Sequence, residues 1–105
     1  LTWGPGGEEA VEKIRNMMTF PAHIACPTTL MELSALFRKC DLYVGGDTGP
    51  MHLACFSELP AVVIYGPTDP LVNAPYPHSR HRIVRVDLPC SPCRDKTCKR
   101  LDCMK

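Results

Sequence analysis

The sequence lacks long apolar runs, a secretory signal and a strong net charge of either sign. No stretch approaches the ~20 apolar residues that a membrane-spanning helix needs, and none has the layout of a signal peptide. The formal net charge of +1 gives no overall attraction to nucleic acid or to an anionic membrane. These absences favour a small globular domain, for which 105 residues are sufficient.

An initiating methionine is also missing, since the chain opens on Leu1-Thr2-Trp3-Gly4. An apolar segment that leads into glycine is typical of the end of a strand. The expectation is therefore that the chain begins inside a longer protein, and that the first strand of its domain is damaged or missing.

The seven cysteines fall into two groups. Cys26, Cys40 and Cys55 each lie alone among apolar residues, which predicts buried and inert thiols. The other four are concentrated near the end of the chain: Cys90, Cys93, Cys98 and Cys103. An odd total without a secretory signal argues against a disulfide framework and favours a reducing compartment.

Helical and strand patterns alternate along the sequence. Apolar spacing and capping signals predict helices over residues 8–18, from the capping-box pattern at 29–32, and over 50–57. Strands are expected at residues 20–25, 41–45, 61–65 and 83–86; the third is a continuous apolar run, typical of a strand covered on both faces. The alternation predicts an α/β fold, a Rossmann-like parallel sheet with flanking helices.

Three glycine-bearing loops follow expected strand ends, at residues 4–7, 45–49 and 66–70. Ligands of open parallel sheets bind outside the carboxyl ends of the strands. We therefore expect these loops to converge on one edge of the sheet and to form the ligand site there.

The middle loop has the clearest chemistry. Asp47-Thr48-Gly49 leads directly into a helix N-terminus, whose N–H groups and positive dipole attract phosphate. Asp47 suits the hydroxyls of a sugar, and His52 lies on the first turn of the same helix. Two plainer interpretations stay open at this point: Asp47 or Thr48 caps the helix, and His52 is structural.

The segments GGDTGPMHLA at residues 45–54 and PAVVIYGPTDP at 60–70 closely resemble glycosyltransferase family 9. That family contains the ADP-heptose:lipopolysaccharide heptosyltransferases. Trp3-Gly4 with Glu8, residues 29–36 before Cys40-Asp41-Leu42, and Cys90-Ser91-Pro92-Cys93 extend the similarity over nearly the whole chain.

The resemblance implies a GT-B glycosyltransferase of which this chain is part of the C-terminal half. Residues 1–89 would be the donor-binding domain and residues 90–105 a cysteine-rich tail of it. The parent enzyme would transfer heptose from ADP-heptose to a lipopolysaccharide core acceptor held by the other domain. It would act in the cytoplasm, with at most peripheral contact at the inner face of the inner membrane, whereas this chain alone would be inactive.

The same resemblance implies a set of donor-binding residues: Asp47, Thr48, Gly49, His52, Glu8, Gly66 and Thr68. Asp47 would contact the heptose, while Thr48 and Gly49 would meet the diphosphate. Glu8 would lie near the nucleotide ribose. No catalytic base is expected in this chain, because the family's acceptor-activating carboxylate belongs to the other domain. No cofactor is required for transfer, and no Asp-x-Asp pair is present to hold magnesium.

The tail cysteines have the spacing C-x2-C-x4-C-x4-C. Four thiolates so close in sequence can wrap a tetrahedral zinc ion, so Cys90, Cys93, Cys98 and Cys103 are candidate ligands of a structural zinc. Unliganded thiols are the plainer interpretation. In either case we expect the tail to lie apart from the three glycine loops.

A zinc site of this spacing raises a second possible function, a zinc-knuckle module for nucleic acid or protein. The phosphate contacts would then come from Arg94, Lys96, Lys99 and Arg100. However, no aromatic residue follows Tyr76, and such knuckles usually stack bases on aromatic side chains. Binding to nucleic acid is therefore not expected.

Overall fold

The computed structural model describes residues 1–95 and 97–105. The chain divides into two compact units, Leu1–Leu33 and Ser34–Lys105. None of the helices within these described ranges is long and apolar enough to cross a membrane.

The first unit contains helix α1, Glu8–Met17, close to its expected bounds. The strand expected at residues 20–25 is wrong, since the structure describes this segment without one. It instead joins the start of the chain: the Ala25 N–H donates to the Leu1 carbonyl over 2.8 Å, and Trp3 Nε1 donates to the Ala25 carbonyl over 3.0 Å. The Leu1 N-terminus also donates to the His23 carbonyl, so these bonds follow the parallel pattern but pair the segment with a single residue.

Helix α2, Leu30–Phe37, begins with the capping box that the sequence predicts. The Thr29 N–H donates to Glu32 Oε2 over 2.7 Å, and the Glu32 N–H donates back to Thr29 Oγ1 over 3.3 Å. The backbone bond from Thr29 is the main reason that the pKa of Glu32 lies below its ordinary value. Two N–H groups at the start of the helix are thereby satisfied.

The second unit contains the expected parallel sheet, built from β1 (Tyr43–Gly46), β2 (Ala61–Tyr65) and β3 (His81–Arg85) in that spatial order. Helix α3, Gly49–Phe56, connects β1 to β2 and packs on both strands. A short helix α4, Pro70–Asn73, follows β2. Two single-turn 3-10 helices complete the unit, at His78–Arg80 and Asp102–Met104.

The core of this unit lies beneath α3, on one face of β2. Ala61, Val63 and Tyr65 are buried, together with Met51 and Cys55 of the helix. Alternate β2 residues point the other way, and Ile64 is 40% exposed. The expectation that β2 is covered on both faces is therefore wrong for the described residues, because the face opposite α3 leaves Val62 half-buried and Ile64 exposed.

The three solitary cysteines do not share one environment. Cys55 is buried as expected, whereas Cys26 and Cys40 are exposed. Cys40 lies just past the end of α2, where its thiol donates to the Leu36 carbonyl over 3.4 Å. Apolar neighbours in the sequence did not predict burial here, because these two cysteines lie outside the helices and strands.

Candidate functional site

Two of the three glycine loops meet at the carboxyl edge of the sheet. Strand β1 ends at Gly46, which pairs with Ile64 near the end of the parallel strand β2. The loops that leave these two strands, residues 47–48 and 66–69, therefore start side by side. The third loop, residues 4–7, and Glu8 belong to the first unit, where Glu8 is the exposed first residue of α1.

A side-chain hydrogen bond joins the Asp47 loop to the segment after β2. The amide Nδ2 of Asn73 donates to Asp47 Oδ2 over 3.0 Å, and both side chains are half-buried. Asn73 is the last residue of α4, whose start is capped by the Asp69 side chain. Sequence reasoning missed Asn73; the Asp69-Pro70 pair, a cap followed by proline, could have predicted the helix but not this contact.

Tyr65 fixes the backbone of the same segment. Its side chain is only 1% exposed, and its hydroxyl donates to the Asn73 carbonyl over 2.6 Å. Burial, with a smaller contribution from the negative charge of Asp47, raises the pKa of Tyr65 to about 12. The phenol therefore stays neutral near pH 7 and remains a hydrogen-bond donor.

Neither Asp47 nor Thr48 caps α3 with its side chain. Thr48 occupies the N-cap position, but its hydroxyl donates to the Gly46 carbonyl over 3.4 Å and not to the helix. The Asp47 carboxylate accepts from Asn73 instead of from an N–H of the helix. The plain capping interpretation is therefore wrong, and both side chains keep acceptor capacity at the sheet edge.

The start of α3 offers one backbone donor in an open position. Proline at position 50 has no N–H, and the N–H groups of Met51 and His52 already donate to the Thr48 carbonyl. The N–H of Gly49 belongs to the first turn, which has no partner within the helix. Gly49 is exposed, and a Cβ added there would meet no atom within 4 Å. The space beside the Cα of Gly49 is thus open to a ligand.

His52 is exposed on the first turn of α3, on the same helix end as Gly49. The sequence placed it there, and the structure agrees. Because His52 is exposed, its imidazole is accessible to a ligand at this helix end.

The tail does not lie apart from the glycine loops, contrary to expectation. The Pro67 carbonyl accepts from the N–H groups of Cys93, over 3.0 Å, and Arg94, over 2.8 Å. The Ser91 hydroxyl donates to the Gly66 carbonyl over 3.0 Å. A Cβ on Gly66 would collide with Met104 Sδ. Gly66 thus lies against the end of the tail, where an added Cβ would require the flexible Met104 side chain to shift, while Thr68 further along the loop is half-buried.

The four tail cysteines line one cavity of about 190 Å³, together with Pro67 and Arg100: Cys90, Cys93, Cys98 and Cys103. All four thiols are free. The pKa of Arg100 is raised, mainly by its bond to Asp102 and to a lesser extent by Cys90 and Cys98. Within residues 1–95 and 97–105, no three Cys, His, Asp or Glu side chains are grouped to hold a metal ion as they stand. The zinc site stays a prediction.

Of the basic residues expected to contact phosphate in a zinc-knuckle module, Arg94, Lys99 and Arg100 are exposed. Arg100 pairs with Asp102 over 2.8 Å. Lys96 lies outside the described residues.

The chain is similar to known proteins in both sequence and structure. The sequence model of glycosyltransferase family 9 (heptosyltransferase) matches residues 1–104. Lipooligosaccharide heptosyltransferase 2 of Campylobacter jejuni is 39% identical over 80 residues, which are 74% of this chain and 25% of that protein. The lipopolysaccharide core heptosyltransferase OpsX of Haemophilus influenzae is 42% identical over 69 residues, which are 65% of this chain and 20% of that protein.

A solved structure agrees with these matches. The crystal structure of a family 9 glycosyl transferase from Veillonella parvula gives a TM-score of 0.74 at 29% identity, over 83% of this chain and 26% of that one. The chain thus spans about a quarter of the length of the relatives it matches.

Proposed function

Because this chain belongs to glycosyltransferase family 9, we propose that it forms the nucleotide-sugar site of a heptosyltransferase. The donor would be ADP-heptose and the acceptor a lipopolysaccharide core. The remaining three quarters of the enzyme would complete a GT-B architecture and hold the acceptor. The observation that supports this role is the Asp47 carboxylate, held by Asn73 beside the open N–H of Gly49.

The proposed pose places the sugar at Asp47 and the diphosphate at the start of α3. Asp47 Oδ2 already accepts from Asn73, which leaves Oδ1 to accept from a heptose hydroxyl. The Gly49 N–H and the positive end of the helix dipole would face the diphosphate. The ring N–H of His52 would add a donor from the same turn. The Thr48 hydroxyl, which donates to the Gly46 carbonyl over 3.4 Å, would add another by turning away from that carbonyl.

The proposed site suits sugar transfer because its donors lie where negative charge would develop on the departing diphosphate. Transfer breaks the bond between the anomeric carbon of the heptose and a phosphate oxygen, and ADP leaves with the bonding electrons. Negative charge therefore builds on the diphosphate in the transition state. Donors already aimed at that position stabilise it without further rearrangement. A base that deprotonates the acceptor hydroxyl would come from the other half of the enzyme.

The zinc-knuckle function has less support. Contacts between the tail and the Gly66-Pro67 loop connect the cysteines to the sheet edge, as part of the same unit. With Arg100 already paired to Asp102 and no aromatic side chain after Tyr76, the tail offers little for a nucleic acid to stack on. A structural role for the tail within the transferase is the better account.

Calorimetric titration of the full-length enzyme with ADP-heptose and with ADP tests the proposal. We expect both ligands to bind to the wild-type enzyme. Asp47→Ala should weaken the binding of ADP-heptose much more than that of ADP, because only ADP-heptose carries the sugar. Asp41→Ala is the matched control, since Asp41 is exposed just before β1 at the other end of that strand. Equal effects of Asp47→Ala on both ligands would refute the assignment of Asp47 to the sugar.

A further inference from the structure

The Asp47 carboxylate at the proposed donor site is hydrogen-bonded to a second side chain. Asp47 lies in the loop after β1, and its partner Asn73 ends the short helix α4, which belongs to the segment after β2. The two residues are 26 positions apart and are joined by a bond of 3.0 Å. A contact of this kind can set the direction in which the carboxylate faces a ligand.

We infer that Asn73 is the positioning residue for the Asp47 carboxylate and thereby sets the affinity for the sugar of the donor. An ionised carboxylate can only accept hydrogen bonds, so the Asn73 amide must turn its NH₂ side toward it. The bond occupies Oδ2 and fixes the plane of the carboxylate. Oδ1 is then presented in one orientation, which lowers the entropy lost when a hydroxyl binds.

Asn73 is itself held in place from the core. The buried hydroxyl of Tyr65 donates to its backbone carbonyl over 2.6 Å. Tyr65 ends β2, the central strand of the sheet. A rigid strand therefore fixes the backbone of Asn73, and the amide side chain of Asn73 fixes Asp47. Support of this kind holds functional groups within the narrow range of geometry that binding requires.

Substitutions at Asn73 separate positioning from simple packing. In the full-length enzyme, Asn73→Ala removes the donor, and we expect ADP-heptose affinity to fall about tenfold, with ADP affinity nearly unchanged. Asn16→Ala, on the exposed face of α1, is the matched control and should change neither. Melting temperatures of each variant would show that the fold is retained.

Asn73→Asp provides a readout that packing alone would not give. Its carboxylate would stand against that of Asp47, and two such groups cannot both stay ionised without mutual repulsion. Lowering the pH from about 8 to about 5 lets one of them take up a proton, which then bridges the pair. ADP-heptose affinity of Asn73→Asp, relative to wild type, should therefore recover as the pH falls. Asn73→Ala should show no such recovery.

This inference rests on the proposed role of Asp47, and a double-mutant cycle distinguishes the two. If Asn73 acts through Asp47, adding Asn73→Ala to the Asp47→Ala variant should not weaken the binding of ADP-heptose any further. An additive loss would overturn the positioning role, as would an Asn73→Ala variant that binds like wild type while Asp47→Ala fails to bind. If Asp47→Ala itself leaves ADP-heptose binding unchanged, the proposed function of that residue is refuted instead.

Discussion

The side chain of Asn73 donates to Asp47 over 3.0 Å, while the backbone carbonyl of Asn73 accepts from Tyr65 over 2.6 Å. One residue thus connects the core strand β2 to the carboxylate at the sheet edge.

Asp47→Ala should reduce transfer by the full-length enzyme. Loss of a hydrogen bond from a sugar hydroxyl to a charged group corresponds to about a 10- to 100-fold decrease in kcat/KM for ADP-heptose. Steady-state kinetics with a lipopolysaccharide core acceptor measure it. The thermal unfolding midpoint should change little, because Asp47 is only half-buried. Unchanged kinetics would remove Asp47 from the site.

Gly49→Ala should weaken binding of the diphosphate without harming the fold. The added methyl group would meet no protein atom within 4 Å, and alanine is the better helix former. It would, however, add bulk next to the N–H that we propose meets the diphosphate. We expect weaker ADP binding in calorimetry together with an equal or higher melting temperature. Wild-type ADP affinity would show that the diphosphate lies elsewhere.

Gly66→Ala should act in the opposite way, through the fold. Its Cβ would collide with Met104 Sδ and lie 3.5 Å from Cys103 Sγ. Because Sδ is the far end of a flexible side chain that can shift, the cost in the free energy of unfolding should be at most about 1 kcal/mol. Met104→Ala in the same protein removes the colliding Sδ atom and should therefore restore much of the lost stability. Denaturant titration of the single and double variants checks this, and a double variant as unstable as the single one would contradict it.

Tyr65 should make stability depend on pH in the alkaline range. Burial raises its pKa from 10.0 to about 12, so the stabilising contribution is complete below pH 10 and is lost as the pH rises through about 12. Denaturant titrations at increasing pH should show a decline that Tyr65→Phe lacks. At neutral pH that variant should unfold more easily by about 1 kcal/mol, because the Asn73 carbonyl loses its donor. An identical alkaline decline in both proteins would contradict the assignment.

The tail cysteines give a prediction about metal. If they bind zinc, full-length protein purified without chelator should contain about one equivalent by elemental analysis. Cys90→Ser combined with Cys93→Ser should abolish it, whereas Cys40→Ser, which changes an exposed thiol outside the tail, should not. Since the tail contacts Pro67, chelation should also weaken ADP-heptose binding. Four freely reactive tail thiols and no metal would defeat the zinc site.

Much of the fold could be predicted because periodicity and capping are local. The three parallel strands, the capping box at Thr29 and the helix after Gly49 follow from residue patterns within single segments. The expected strand at residues 20–25 was wrong because its backbone groups pair only with Leu1, a long-range contact that no local pattern reveals. The prediction that both faces of β2 are covered was wrong, because an apolar run does not reveal which elements pack against the strand.

Of the candidate site, only the residues of the loop after β1 could be predicted from the sequence. Asp47, Thr48 and Gly49 are adjacent in sequence, and their chemistry can be recognised together. Asn73 lies in a proline-rich stretch, where asparagine is typical of a turn, and its contact depends on the tertiary fold. The tail's contact with Pro67 uses backbone groups, so no side chain in the sequence signals it.

The carbonyl oxygen of Pro67 has two lone pairs, and two N–H groups of the tail donate to it. A shortened clone that stops at residue 89 would retain every proposed donor contact and still lose both of these bonds, the Ser91 bond to Gly66 and the methionine that covers that glycine. The loop after β2 would then lack the bonds that hold its Gly66 and Pro67 carbonyls. The shortest useful expression boundary for this region therefore lies beyond Met104, although none of the last residues is proposed to touch the donor.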